Sequence, residues 1–194
     1  MSASVYRQQL EAYLKTLDIK ADRVIDVGGG SNPVSKRVKS WDVRDYQVID
    51  NELERQQTKI TFKFDMNNRL LNEDASQFDI VFCLELFDYI WDPVQACKNL
   101  RKLCADKGKL IVTFPFVYPN HNPVAYDMLR YTKQGVAKLL NEAGFWIDKT
   151  IPRRIANTGQ WKEWLDSEGY RSRGAQEAGT LFDAGYIIEA HPKL

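Results

Sequence analysis

The feature that most constrains this chain is a run of three glycines, Gly28-Gly29-Gly30, set directly behind the apolar segment Arg23-Val24-Ile25-Asp26-Val27. Residues 23–27, with branched side chains at Val24, Ile25 and Val27, read as a short buried strand. The glycines stop it, allow a turn with positive φ and leave the backbone bare for something to approach. Pro33 follows at a favoured first helical position and Asn32 stands where a cap belongs, so the pattern predicts a helix restarting at Pro33. A buried strand turning tightly into a helix is the unit from which parallel sheets are built.

The remainder of the chain repeats that alternation. Tyr6, Leu10, Tyr13, Leu14 and Leu17 recur at helical spacing, which predicts a first helix ending before a turn at Asp18–Asp22. Tyr46–Asp50 and Ile60–Asp65 read as strands that each end in a carboxylate, and Phe78–Leu84 reads as a fourth strand. A helix follows whose apolar face is Val94, Cys97, Leu100, Leu103 and Cys104, closed by Gly108, and then a fifth strand over Lys109–Phe114. Thr132 caps a helix with the stripe Val136, Leu139, Leu140 and Ala143, and Gly144 sits where a left-handed residue ends it. Phe145–Ile151 and Tyr186–Ala190 are the last two strands, read as an antiparallel addition. Between them lies a polar stretch with Trp161, Trp164, Gly169, Gly174 and Gly179, which reads either as a lid or as a surface for a partner chain. With no repeat or linker, the expectation is one α/β domain over 1–194. It comprises an N-terminal helix at 5–18, a core at 23–115, and a substrate-side loop, helix and final strands at 116–194.

Charge and cysteine content then remove whole classes of function. The chain has 194 residues with 27 Lys and Arg against 26 Asp and Glu, a net charge of +1. No bulk field draws it to nucleic acid or to anionic lipid. Its longest apolar run, Ile80–Leu84, falls far short of the roughly 20 residues that a bilayer span needs. No apolar stretch follows Arg7 to make a signal peptide, so a soluble, cytoplasmic protein is expected. The three cysteines, Cys83, Cys97 and Cys104, lack the spacing of a disulfide framework or a zinc site, and no metal centre is expected.

In an open parallel sheet, ligands settle beyond the carboxyl ends of the strands where the strand order reverses. Gly28 and Gly30, Asp50, Asp65 and Cys83-Leu84-Glu85 all fall at such ends. Asp50 stands 20 positions after Gly30, a spacing at which a carboxylate can accept both hydroxyls of a ribose. A dinucleotide fingerprint needs a third glycine where this chain has Pro33, and no Lys-Ser or Lys-Thr follows the turn to make a P-loop.

These residues resemble the class I S-adenosylmethionine-dependent methyltransferases, whose first motif is acidic-x-Gly-x-Gly, here Asp26-Val27-Gly28-Gly29-Gly30. The likeness continues through Val48-Ile49-Asp50 and Phe64-Asp65-Met66, then Phe78–Glu85 with Tyr89–Pro93, and Gly108–Val112. It covers about residues 5 to 150 plus the last strand, and where many relatives have histidine this chain has Tyr89. The resemblance implies a Rossmann-like, doubly wound, mostly parallel seven-stranded sheet with an antiparallel last strand. It implies S-adenosyl-L-methionine as cofactor, bound by Asp26, Gly28, Gly30, Asp50, Asp65, Met66 and Leu84.

Methyl transfer from a sulfonium is a direct displacement, so alignment and exclusion of water matter more than a set of catalytic groups. For a hydroxyl or amine acceptor a base helps. Of the two histidines, His121 follows the fifth strand over the expected cleft, whereas His191 lies near the tail. His121 and Asp127 are therefore the catalytic candidates, and Asp88, Arg130 and Tyr131 the substrate-binding ones. For Arg130 an ion pair with Asp127 and the anchoring of an anionic acceptor are both open, and Tyr126 and Tyr131 can equally be core aromatics. The segment Asp127–Thr132 resembles the small-molecule-modifying branch of the family, which implies a small, polar acceptor. A second class is a cofactor-binding regulatory or partner subunit without catalysis; a nicotinamide oxidoreductase is disfavoured by the missing glycine. Nucleic-acid methylation is disfavoured as well, since Leu84-Glu85-Leu86-Phe87 stands where amino-methylating enzymes have Asn or Asp, Pro, Pro and an aromatic. Assembly into a homo-oligomer is left open.

Overall fold

The computed structural model describes residues 4–51, 61–70, 77–117, 126–156 and 181–194. Among these residues three helices, α1 (Val5–Leu14), α2 (Pro93–Leu103) and α3 (Lys133–Glu142), flank seven strands. The strands are β1 (Asp18–Val27), β2 (Ser40–Asp50), β3 (Phe62–Lys63), β4 (Phe78–Cys83), β5 (Cys104–Pro115), β6 (Phe145–Ala156) and β7 (Leu181–Pro192). They form one sheet in the order β3-β2-β1-β4-β5-β7-β6. The chain runs outward from β1 through β2 to β3 and then returns to β1's other side as β4, so the order reverses between β1 and β4. Val27 and Cys83 are the last residues paired there.

Among the described strands only β7 runs against the rest: it is antiparallel to β5 and to β6, which leaves β6 parallel to the main sheet. The expected antiparallel addition is thus one reversed strand inserted between two parallel ones. The mostly parallel, doubly wound α/β sheet is present. Alternation along β4 supplies both faces. Val81 and Cys83 join the cluster under α2 and α3, with Leu100, Val136 and Leu140. Phe82 and Leu84 join the cluster under α1, with Leu10 and Leu14. Each leucine buried this way contributes roughly 1.5–3 kcal/mol.

Local chemistry accounts for the helix ends. Ser4, Asp92 and Thr132 each accept a backbone N–H three residues on, from Arg7, Gln95 and Gly135, satisfying donors that the first turn leaves open. Pro93 opens α2, and Arg101 and Lys102 complement its carboxyl end. Gly144 has φ +91 behind α3, as its position predicted.

Three expectations of the sequence are corrected. Residues 18–22 are not a turn but the start of β1, in which 18–21 pair with 40–43 of β2. No helix follows the glycine turn: Val34–Lys36 make one 3₁₀ turn with Pro33, not Asn32, at its cap, and the donor at Val34 goes to Asp26 Oδ2 at 2.8 Å. Cys104 is not on the stripe of α2; it begins β5 opposite Phe78, and Gly108 lies inside that strand. All three cysteines are buried free thiols. Burial raises their pKa values, to about 12 for Cys97 and Cys104. No helix among the described residues is long and apolar enough to cross a membrane.

Candidate functional site

At the reversal of strand order a cleft of about 910 Å³ opens beyond the carboxyl ends of β1, β2 and β4. Asp26, Gly28, Asp50, Asp65, Met66 and Leu84 all line it. Gly30 does not; its N–H donates to Asp50 Oδ2 at 2.9 Å and so couples the turn to the end of β2.

The turn needs glycine for two different reasons. Gly28 has φ +82, a conformation costly for residues with a Cβ. At the next two positions the obstacle is contact: a Cβ on Gly29 would fall 2.2 Å from Asp26 Oδ2, and one on Gly30 2.6 Å from Asp50 Oδ2. The bare backbone thus lets two carboxylates close around the turn. Asp26, only 2% exposed, accepts from Val34 N–H at 2.8 Å and from the Tyr46 hydroxyl at 2.9 Å. Burial nevertheless dominates and raises its pKa to about 6.

A raised carboxyl pKa means that the folded chain holds the proton more tightly than the unfolded chain does. Stability from this group is therefore greatest in acid and is lost as pH rises from about 4 to about 6, a change of roughly 3 kcal/mol. Asp26→Asn, which cannot ionise, should lack that slope. Urea unfolding of both proteins between pH 4 and 7 checks it, and parallel pH profiles would refute it.

The wall of the cleft around Asp65 and Met66 is braced by side chains that motif reading passed over. Asp65 Oδ1 accepts from the Asn67 N–H at 2.9 Å and from its amide at 2.8 Å. Asn67 Oδ1 in turn accepts from the N–H groups of Trp91 and Asp92 at 2.7 and 2.9 Å. From α2 the fully buried Asn99 accepts from Leu70 N–H at 3.0 Å and donates to the carbonyls of Met66 and Asn68 at 3.1 and 2.7 Å. The signal for Asn99 is an amide on the buried face of α2, one turn after Gln95, whose own amide donates to it at 2.9 Å; it is visible only once that face is known to be buried.

At the end of β4, Glu85 is the one non-glycine residue among those described with positive φ, +55. Such backbone persists only where the surroundings impose it. Burial works against ionisation of its carboxyl, but Arg153 and the Thr113 hydroxyl outweigh burial and hold the pKa below the usual range.

The acceptor-side candidates separate. Asp88 lines the cleft. Asp127 has a side chain only 1% exposed, with its oxygens 2.5 and 2.7 Å from the Arg130 guanidinium. Neither Asp127 nor Arg130 is among the described lining, where their neighbours Tyr126 and Met128 are found. Tyr131 packs in the core against Phe87 and Phe114, its hydroxyl donating to the Phe87 carbonyl at 3.2 Å. That places it with the core aromatics rather than on the cleft. His121 and the stretch 157–180 lie outside the described residues, whereas His191 is on β7, 2.7 Å from Asp148 and remote from the cleft. Among the described residues no group of His, Cys, Asp and Glu could hold a metal ion.

Comparison with known proteins gives a consistent picture. The profile of the methyltransferase domain family matches residues 3–171. Over 170 residues the chain is 31% identical to the ubiquinone biosynthesis O-methyltransferase of Coxiella burnetii, an alignment covering 80% of this chain and 66% of that one. The chain thus spans slightly less than two thirds of that relative's length. Among solved structures, the YcgJ protein of Bacillus subtilis superposes with a TM-score of 0.64 at 12% identity, covering 96% of this chain and 98% of the other. An S-adenosylmethionine-dependent methyltransferase from Mesorhizobium loti does so at 0.62 and 13%, covering 97% and 98%. At such identities these two share the fold.

Proposed function

The chain belongs to the S-adenosyl-L-methionine-dependent methyltransferase family, and on that premise we propose that it transfers a methyl group to a small polar molecule, at an oxygen or nitrogen. The observation that carries the reading is the pairing of Asp50 with the glycine turn: a carboxylate at the end of β2, bonded to Gly30 N–H and lining the cleft. The wall fits the cofactor in the chemistry of its groups. Asp50 would accept from the ribose hydroxyls, and the side chains of Ile49, Phe64, Met66 and Leu84 offer apolar surface to a purine. Arg7 and Arg37, both bonded to Glu11 and both on the cleft, supply positive charge for a carboxylate.

When bound, S-adenosyl-L-methionine supplies a methyl group on a sulfonium, open to direct displacement. The protein's part is then to align the acceptor and to exclude water. Asp88, Tyr126 and Met128 line the cleft, and an acceptor held there would meet them. Asp127 is engaged with Arg130, and a carboxylate so paired is a weak base. We therefore assign the pair to shaping the acceptor side and keep His121 as the candidate base. The likeness to an O-methyltransferase supports a small-molecule acceptor.

Calorimetric titration with S-adenosyl-L-methionine and with S-adenosylhomocysteine tests the cofactor site, and release of S-adenosylhomocysteine across a panel of small phenols, catechols and amines tests the transfer. Binding of both with turnover on at least one acceptor is expected. Binding without turnover on any of them would favour a non-catalytic binding subunit, and no binding at all would remove the assignment.

A further inference from the structure

Arg153 of β6 is fully buried although it lies outside every segment that points to the cofactor. Its guanidinium makes two bonds to one carboxylate, Nη1 to Glu85 Oε1 at 2.5 Å and Nη2 to Oε2 at 3.1 Å. Nε and Nη2 also donate to the carbonyl of Tyr6, at 3.1 and 2.9 Å, and the guanidinium carbon stands 3.2 Å from the centre of the Tyr6 ring. A planar fork with five donors can engage both partners together, which a lysine ammonium cannot do with the same geometry.

Both partners belong to the cleft wall. Glu85 and Tyr6 line it, as do Ser4 and Arg7 beside Tyr6 in the opening of α1. Glu85 is fixed a second time by Thr113 of β5, whose hydroxyl oxygen accepts from Glu85 N–H at 2.7 Å and donates to Glu85 Oε1 at 3.0 Å. In a trans peptide the carbonyl points opposite to the following N–H. Directing Glu85 N–H at β5 therefore turns the Leu84 carbonyl toward the β1 side, where the glycine turn stands. Room for the clamp is built into β7: Gly185 pairs with Arg153, and a Cβ there would fall 2.4 Å from the Tyr6 hydroxyl.

We propose that Arg153 is a positioning residue for the cofactor cleft, a clamp from the far edge of the sheet that fixes Glu85 in its left-handed conformation and seats the start of α1 over the site. It rests on the reading of the cleft as an S-adenosyl-L-methionine site. Arg153 touches no reacting atom; it acts through Glu85 and Tyr6.

Three variants separate positioning from mere support: Arg153→Lys, Arg153→Met, and the double variant Glu85→Gln/Arg153→Met. The probe is S-adenosylhomocysteine, measured by calorimetry beside urea unfolding. Arg153→Met leaves the partly buried Glu85 carboxylate without its cation and should lose stability, whereas the double variant leaves no unpaired charge at this point and should regain much of it. Affinity should not follow. We expect about tenfold weaker binding in Arg153→Lys and about thirtyfold or more in both Met variants, the double variant included. Recovery of wild-type affinity together with stability in the double variant would overturn the clamp, as would unchanged affinity in a folded Arg153→Lys. Should neither Met variant fold, Arg153→Lys and Thr113→Val decide it. Thr113→Val keeps the shape but loses both bonds to Glu85, and unchanged affinity in both variants would refute the proposal. Failure of the wild-type protein to bind the probe would instead remove the cofactor reading, and the clamp with it.

Discussion

Replacing Asp50 by alanine should reduce the affinity for S-adenosylhomocysteine by about 10² to 10⁴, because two hydrogen bonds to a charged acceptor are worth roughly 1.5–3 kcal/mol each. The loss should be nearly confined to binding. Asp50 is only partly buried, and besides its bond to Gly30 the turn is held by Gly28 N–H on the Ile49 carbonyl and Asn32 N–H on the Gly29 carbonyl, so the unfolding midpoint without ligand should move little. Asp50→Asn keeps an acceptor oxygen without the charge and should fall between, near tenfold. Calorimetry on the three proteins gives the comparison. An alanine variant within threefold of wild type would mean that the ribose is held elsewhere.

The largest structural effect is expected at Asn99. Leucine has a similar volume and suits the apolar face of α2, yet Asn99→Leu would leave Leu70 N–H and the carbonyls of Met66 and Asn68 without the partner they now share. Each unpaired buried group costs about 1–3 kcal/mol. A total near 4 kcal/mol would lower the melting temperature by about 10 °C in a chain of this size. Met66 lines the cleft, so the same change should weaken cofactor binding and reduce the rise in melting temperature that saturating S-adenosylhomocysteine produces in the wild type. A shift below 2 °C would show that the segment 66–70 is held by other contacts, such as Lys102 Nζ on the Leu70 carbonyl at 2.6 Å.

Much of the sheet is legible in the sequence because buried strands announce themselves as apolar runs and because a strand end with glycine or aspartate marks its carboxyl edge. What escapes reading is physical in origin. The first half of β1 is polar on alternate residues, Asp18, Lys20 and Asp22, and only pairing with β2 makes it a strand. The helix expected at Pro33 yields to tertiary demand: Asp26 takes the N–H of Val34, and the chain enters β2 at Ser40. The turn and the carboxylates of the site are contiguous motifs and can be read. Arg153, Thr113 and Asn99 cannot, since each acts on residues between 28 and 147 positions away in sequence. A stripe or a spacing cannot encode such a partner. Tyr131 illustrates the converse, an aromatic near a cleft in sequence that the fold spends on its core.

The three sealed thiols give this chain its own clock. Cys83, Cys97 and Cys104 sit in one cluster that joins β4, α2 and β5, so a disulfide reagent should reach them only when those elements part. Their reaction rate in native buffer then counts opening events. A small molecule held at the end of β4 keeps the closed form populated, and at a hundred times its Kd it should slow the reaction about a hundredfold. Methyl acceptors could therefore be sought by protection of cysteines against labelling, with no turnover to follow and whichever atom receives the methyl group.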